Sequence, residues 1–298
     1  MGEPAMFEQQ LLNALTLGSV YALFALGFTL IFGVLGVINL SHGAVFMLGS
    51  YAALLLVSKV SLPLWLALLI AMLAAGWLGL MIDFLVLKPL RARNAPHLIP
   101  MIATIGVAIL LTSVAQGLFG AQVQRFPFGT VSEASFTWGN IHITVLQIGI
   151  VAMALALMAL LLVIMRRTQL GRALRAIAEA PKTAYLLGVN VEGLFLLTSF
   201  VAAALGGAAG VLIGLSFNAI TPFMGQPMLL KGIAVIILGG MGDIRGALIG
   251  GLFLGLAEVM SVAYISSDFR DAVSFGLLFL ILLVRPSGLF GQALERKA

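Results

Sequence analysis

The residues that could do chemistry in this chain are few, and their types argue against covalent catalysis. No cysteine occurs among the 298 residues, which removes thiolate nucleophiles, thiolate metal sites and disulfides. No GxxxxGK[ST] loop, HExxH pair or GxSxG elbow occurs, so nothing points to phosphate binding or hydrolysis. No nucleic-acid signature is found. No catalytic residue is therefore assigned, and the chain is expected not to be an enzyme. What stands out is polarity in apolar surroundings. Asn39, Ser41, His42 and Gly43 interrupt an apolar run from Phe7 to Val57. Polar groups inside hydrocarbon need partners or a wet cavity. The cluster is either an interhelical hydrogen-bond knot or the lining of a translocation path. A lone His with no second ligand at metal-binding spacing gives no metal site.

Charge is the second signal. Lys231 and Glu258 fall inside apolar segments, a few residues from their predicted outer ends, and could form a structural ion pair. Asp83 lies within reach of Lys88 or Arg91. The run RRTQLGRALRAIAEAPKTAYLLGVN, 166–190, is the longest basic polar stretch between two apolar segments. Arg172, Arg175, Glu179 and Lys182 recur at three or four residues and share one helical face. Pro181 starts a second short helix, Gly188 offers a left-handed stop, and Asn190 can cap the next helix. This run is either a solvated loop that fixes orientation or a docking knob for a partner.

The elements that position these residues are membrane helices. Hydrophobic residues make up 61% of the chain and charged ones 9%, against about a quarter charged in soluble domains. An all-α polytopic bundle is predicted, a single transmembrane domain over 1–298. Its spans are 8–33, 34–58, 64–87, 98–119, 142–165, 191–216, 228–241, 246–262 and 271–284. The seventh and ninth are short. The seventh and eighth could form a broken or re-entrant pair, so eight to ten spans are expected. No basic region precedes the first apolar run, so that run is expected to remain as a helix rather than be cleaved. If the spans alternate, twelve of the sixteen Lys and Arg fall on one side. These are Lys88, Arg91, Arg93, Arg166, Arg167, Arg172, Arg175, Lys182, Arg245, Arg285, Arg296 and Lys297. Glu3, Glu8, Glu133, Asp268 and Asp271 fall on the other. The positive-inside rule then places the N-terminus outside and the C-terminus in the cytoplasm. Gly206, Gly210 and Gly214, and likewise Ala247, Gly251 and Gly255, repeat every four residues. Such small residues let helices approach closely, within one subunit or between two. The stretches FGVLGVINLSHGA (32–44) and LGGMGDIRGA (238–247) resemble each other, and paired Gly-broken segments point to a transport path.

Taken in order, these stretches resemble the permease subunits of branched-chain amino-acid ABC importers, the LivH type. GVINLSHGAVFMLGSY at 36–51, LKPLR at 87–91, IATIG at 102–106 and the basic run carry the resemblance. So do PFMGQPMLLKG, LGGMGDIRGALIGGLFLGLAE and FRDAVSFGLLFLILLVRPSGLFG. The resemblance implies that 171–188 docks on ATPase subunits, with Arg172, Arg175, Glu179 and Gly188 in the contact beside Lys182. It implies that Asn39, His42 and Gly43 lie close to the path, beside Ser41. Its implied partners are a second, LivM-like permease, two cytoplasmic ATPase subunits that hold ATP and Mg, and a periplasmic binding protein. The implied location is the bacterial inner membrane, with lipid around the bundle. The cargo would be a small amino acid moved by alternating access, with no cofactor in this chain. Two departures stand out: Ala44, where some members have Glu, and Pro181 in the Glu-Ala-Ala pattern of coupling loops. Urea and short-chain amide permeases share these motifs. An ion-gradient-driven transporter would need ionisable groups deep in the membrane, and the candidates here are peripheral.

Overall fold

The computed structural model describes residues 3–96, 98–130, 134–138, 141–285 and 288–290. Glu133, Arg296 and Lys297, which enter the charge argument, lie outside the described residues. The chain is an all-α membrane bundle. Its helices are α1 Glu3–Leu35, α2 His42–Val60, α3 Leu64–Ile82, α4 Lys88–Ala92, α5 Leu98–Phe119, α6 Val145–Arg167, α7 Gln169–Glu179, α8 Pro181–Leu186, α9 Val191–Phe217, α10 Gly225–Gly239, α11 Ile244–Tyr264 and α12 Arg270–Val284. A π turn, Asp83–Leu87, joins α3 to α4 without a break in the helix. Among the described residues seven helices are long and apolar enough to cross a membrane, and α10 is a shorter apolar helix.

Each of the nine expected spans falls on a helix, but α10 and α12, at 15 residues each, are shorter than a full crossing, and two boundaries are corrected. The second span does not begin at 34. α1 runs on to Leu35, Gly36 takes a left-handed φ of 68°, and helix resumes only at His42. The fifth does not begin at 142. Ile141–Thr144 is a strand, β2, paired antiparallel with β1, Ser135–Trp138. Its alternating β-branched residues favour the extended form. Thr144 then opens α6 through a capping box with Gln147, at 3.1 Å in both directions. The hairpin is tied to α1, because Gln9 donates to the His142 carbonyl and accepts from its N–H.

The core lies around α1, α2, α9 and α11. Phe24, Phe28 and Phe46 are fully buried there. In lipid this burial gains nothing from water exclusion, so close packing has to hold the helices. The small-residue repeats serve it inside the chain. Gly206 and Gly210 face His42 and Phe46 of α2, while Gly251 and Gly255 face Ala22 and Gly18 of α1. The connections sort onto two faces. The end of α1, α4, α7–α8 and the α10–α11 turn share one, the basic face. The hairpin, the α9–α10 connection and the α11–α12 connection share the other.

Candidate translocation path and coupling surface

Two helices start inside the bundle rather than at its surface. The α1–α2 break runs back along α1 until the His42 ring packs against Phe24 and Phe28, with centroids 4.7 and 5.5 Å apart. These two lie roughly two to three turns from the end of α1. A break at this depth has to satisfy its own backbone. Asn39 Oδ1 accepts from the Ser41 N–H at 3.0 Å and from the Ser41 hydroxyl at 2.6 Å. Leu40 N–H donates to Thr104 Oγ1 of α5 at 3.1 Å, and Thr104 donates to the Met101 carbonyl. One residue into α2, Gly43 meets Gly225, the first residue of α10. A Cβ on either would collide with the other's carbonyl, so only glycine lets the two helix starts touch.

Beside this contact lies a cavity of about 360 Å³, large enough for a small ligand. Leu40, Gly43 and Ala44 form one wall, and Ile105, Ile109 and Leu229 add apolar surface. Thr112, Ser113 and Gln116 of α5 and Gln226 of α10 supply the polar groups, and no charged residue lines it. Of the four candidates in the second span, Gly43 borders the cavity. Asn39, Ser41 and His42 are buried behind it and shape the break. The α5 residues were missed from the sequence, although three polar side chains at i, i+1 and i+4 in an apolar span were a legible signal.

The basic run folds as two short helices. Thr168 caps α7 by accepting from Gly171 N–H at 3.2 Å. Gly171, Leu174 and Ile177 are buried beneath. The polar stripe divides. Arg175 turns back to donate to the Met165 carbonyl at the end of α6, while Arg172, Glu179 and Lys182 face outward. Gly188 stops α8 with φ of 84°, and Asn190 caps α9 by accepting from Gly193 N–H at 3.0 Å. The most prominent feature here was not singled out from the sequence. Tyr185, Leu186 and Leu187 are 70%, 83% and 80% exposed, an apolar tip on a polar surface. Charge periodicity alone passes over three apolar residues before a glycine.

The ionisable groups pair as their placement suggested, with additions. Lys231 Nζ stands 2.8 Å from Glu258 Oε1. Tyr21 donates to Glu258 Oε2 at 2.9 Å, and Arg270 Nε lies 3.0 Å from Oε1. One fully buried carboxylate therefore serves two cations and a phenol. Asp83, also fully buried, takes Arg91 through both oxygens at 2.5 and 3.3 Å, and Arg91 lies over the Phe195 ring. Lys88, the other partner considered for Asp83, lies over Phe84 instead. Among the described residues no three His, Asp or Glu stand together as a metal site would require.

Residues 10–282 match the family model described as branched-chain amino acid transport system / permease component. The chain is 37% identical to the high-affinity branched-chain amino acid transport system permease protein LivH of Salmonella typhimurium, over 96% of both chains. It is 36% identical to the corresponding protein BraD of Pseudomonas aeruginosa, over 98% of both. It is also 25% identical to the LivM permease of the same Salmonella, over 96% of this chain and 71% of LivM. No solved structure matches. The chain belongs to the family of branched-chain amino acid transport permeases.

Proposed function

We propose that this chain is one permease subunit of an ATP-driven importer, and that a branched-chain amino acid passes through the cavity between α2, α5 and α10. The carrying observation is the lining of that cavity: apolar walls, a few side-chain amides and hydroxyls, and no charge. A zwitterionic amino acid is neutral overall and needs no charged lining. Its branched side chain suits Leu40, Ile105, Ile109 and Leu229. Its carboxylate suits the first-turn N–H groups of α2 at Gly43 and Ala44, where the helix dipole is positive. Its ammonium suits the carbonyl oxygens of Gln116 and Gln226. Ala44 keeps this wall uncharged.

The basic face lies in the cytoplasm, as the distribution of Lys and Arg requires. The N-terminus is then outside, in a bacterial inner membrane. The apolar tip of α8 seats in ATPase subunits, and the outward side chains of Arg172, Glu179 and Lys182 surround that contact. ATP and Mg stay on those subunits. The exposed face of α5, with Ile102, Leu110 and Leu118 all more than half exposed, is covered by a second permease. The similarity of this chain to both LivH and LivM of one organism supports a pair of related subunits around a pseudo-twofold axis. A binding protein delivers the amino acid at the opposite face. ATP-bound and free ATPases favour different states of the path, and that difference in affinity drives the cycle.

The test is reconstitution with both permeases, the ATPases and the binding protein in liposomes. ATP-dependent uptake of leucine, isoleucine or valine, in excess over urea, is expected. Uptake that tracks an ion gradient without ATP, or urea as the better substrate, would refute the proposal.

A further inference from the structure

A second cavity, of about 430 Å³, lies on the basic face beneath α7. It is separate from the path and has a different chemistry. Arg166 from the end of α6, Arg175 from α7 and Arg245 from the first turn of α11 all line it. Among the described residues none of the three is in an ion pair. The one acid in the lining, Asp243, is occupied. Its Oδ1 accepts from the Arg245 and Gly246 N–H groups at 2.6 and 3.0 Å and caps α11. Arg175 also donates to the Met165 carbonyl, so three exposed arginines and one capping carboxylate border a shared space that carries a net positive charge.

Two further features narrow the occupant. The Thr29 side chain lines the cavity, is 99% buried by its 1% exposure, and its hydroxyl has no hydrogen-bond partner. A buried hydroxyl without a partner is uncommon and points to a missing polar group. The rest of the wall is apolar, with Leu30, Val34, Leu162 and Leu174. The cavity is therefore cationic at one end and greasy at the other, at the level where α1 and α6 leave the membrane. A free anion would use only the first half.

We propose that this cavity holds a phospholipid, its phosphate between Arg166, Arg175 and Arg245 and its glycerol and first acyl carbons against Leu30, Val34 and Leu162. Phosphate oxygens accept the planar guanidinium donors in pairs, and a rotation of the Thr29 side chain, whose hydroxyl is enclosed in this structure, would let it donate to an ester oxygen. Basic pockets between helices at the cytoplasmic side suit this chemistry. The lipid would join α6, α7 and α11 through one anion, so the helix that faces the ATPase is braced by the membrane.

The full complex, purified in detergent and stripped of lipid, is titrated with phosphatidylglycerol, and bound lipid is counted by native mass spectrometry beside thermal stabilisation. One tightly held lipid per chain is expected. Each interfacial basic residue contributes about fivefold in affinity, so Arg166→Gln and Arg245→Gln should each weaken binding by about that factor. Thr29→Val should weaken it while all three arginines remain, which covers the case that an arginine variant does not assemble. Arg167→Gln, next in sequence but outside the cavity, should leave it unchanged. Inorganic phosphate should not displace the lipid at equal concentration. Equal weakening by Arg167→Gln would show diffuse surface attraction and overturn the proposal. Equal competition by phosphate would make this a free-anion site and overturn it as well. Because binding is read without transport, the result stands apart from the substrate assignment.

Discussion

Glu258→Gln should destabilise this subunit more than any other single change within its ion cluster. The carboxylate is fully buried, 2.8 Å from Lys231 and 3.0 Å from Arg270. Neutralising it leaves Lys231, whose side chain is 10% exposed, with the neutral Tyr21 hydroxyl at 3.2 Å and one counter-ion, Asp271 at 3.5 Å, itself 65% exposed. An uncompensated buried charge of this kind costs roughly 3–5 kcal/mol. Lys231→Met loses its bonds to Glu258 and to the Tyr21 hydroxyl and is expected to cost less, about 1.5–3 kcal/mol, the range of one hydrogen bond to a charged group, because Arg270 and Tyr21 still hold the carboxylate and no charge is left unpaired. The double variant should lose less than the sum of the two. Exchanging the two residues should not rescue stability, since a lysine at 258 would sit beside Arg270. The assay is thermal inactivation of the assembled complex, in which roughly 2 °C is lost per kcal/mol in a chain of this size. Glu258→Gln should then lower the midpoint by about 6–10 °C. Equal losses for Glu258→Gln and Lys231→Met, adding without coupling in the double variant, would refute this account.

Orientation can be read with single cysteines, because the chain has no background thiol. In intact cells an impermeant maleimide should label Thr137→Cys and Ser267→Cys but not Thr183→Cys; labelling of Thr183→Cys alone would invert the bundle. Leu186→Ala with Leu187→Ala should weaken the ATPase contact by tenfold or more, in the range of interface hot spots, and reduce both uptake and the ATPase stimulation given by the binding protein. Unchanged stimulation would leave the α8 tip without a coupling role.

What the sequence made legible divides along physical lines. The spans could be placed because length and continuous apolarity are strong local signals, and the helix stop at Gly188 and cap at Asn190 because they are local backbone chemistry. The Lys231–Glu258 pair could be inferred because charges in apolar helices must find each other. Tyr21 and Arg270 could not be added. A phenol on α1 carries no charge to search for, and Arg270 lies outside the span assigned from hydropathy. The break before His42 was marked by its polar residues but displaced, since the chain from 34 to 41 is as apolar as a helix and only the left-handed Gly36 ends α1 there. The cavity itself depends on Gly43 meeting Gly225 across more than 180 residues, a contact that no local pattern encodes. Its α5 wall is legible, since Thr112, Ser113 and Gln116 stand as polar residues on one stretch of an apolar span.

The central claim is that the cavity beside Gly43 is the path. Ala44 lines it, so a larger side chain there should block passage without touching the ATPase surface. Ala44→Phe is placed in the reconstituted complex, and leucine uptake is measured beside ATPase stimulation in the same liposomes. Uptake should fall by tenfold or more, the scale of well-packed contact positions, while the complex assembles and the binding protein still stimulates ATP hydrolysis. Uptake at the wild-type rate in an assembled Ala44→Phe complex would contradict the account.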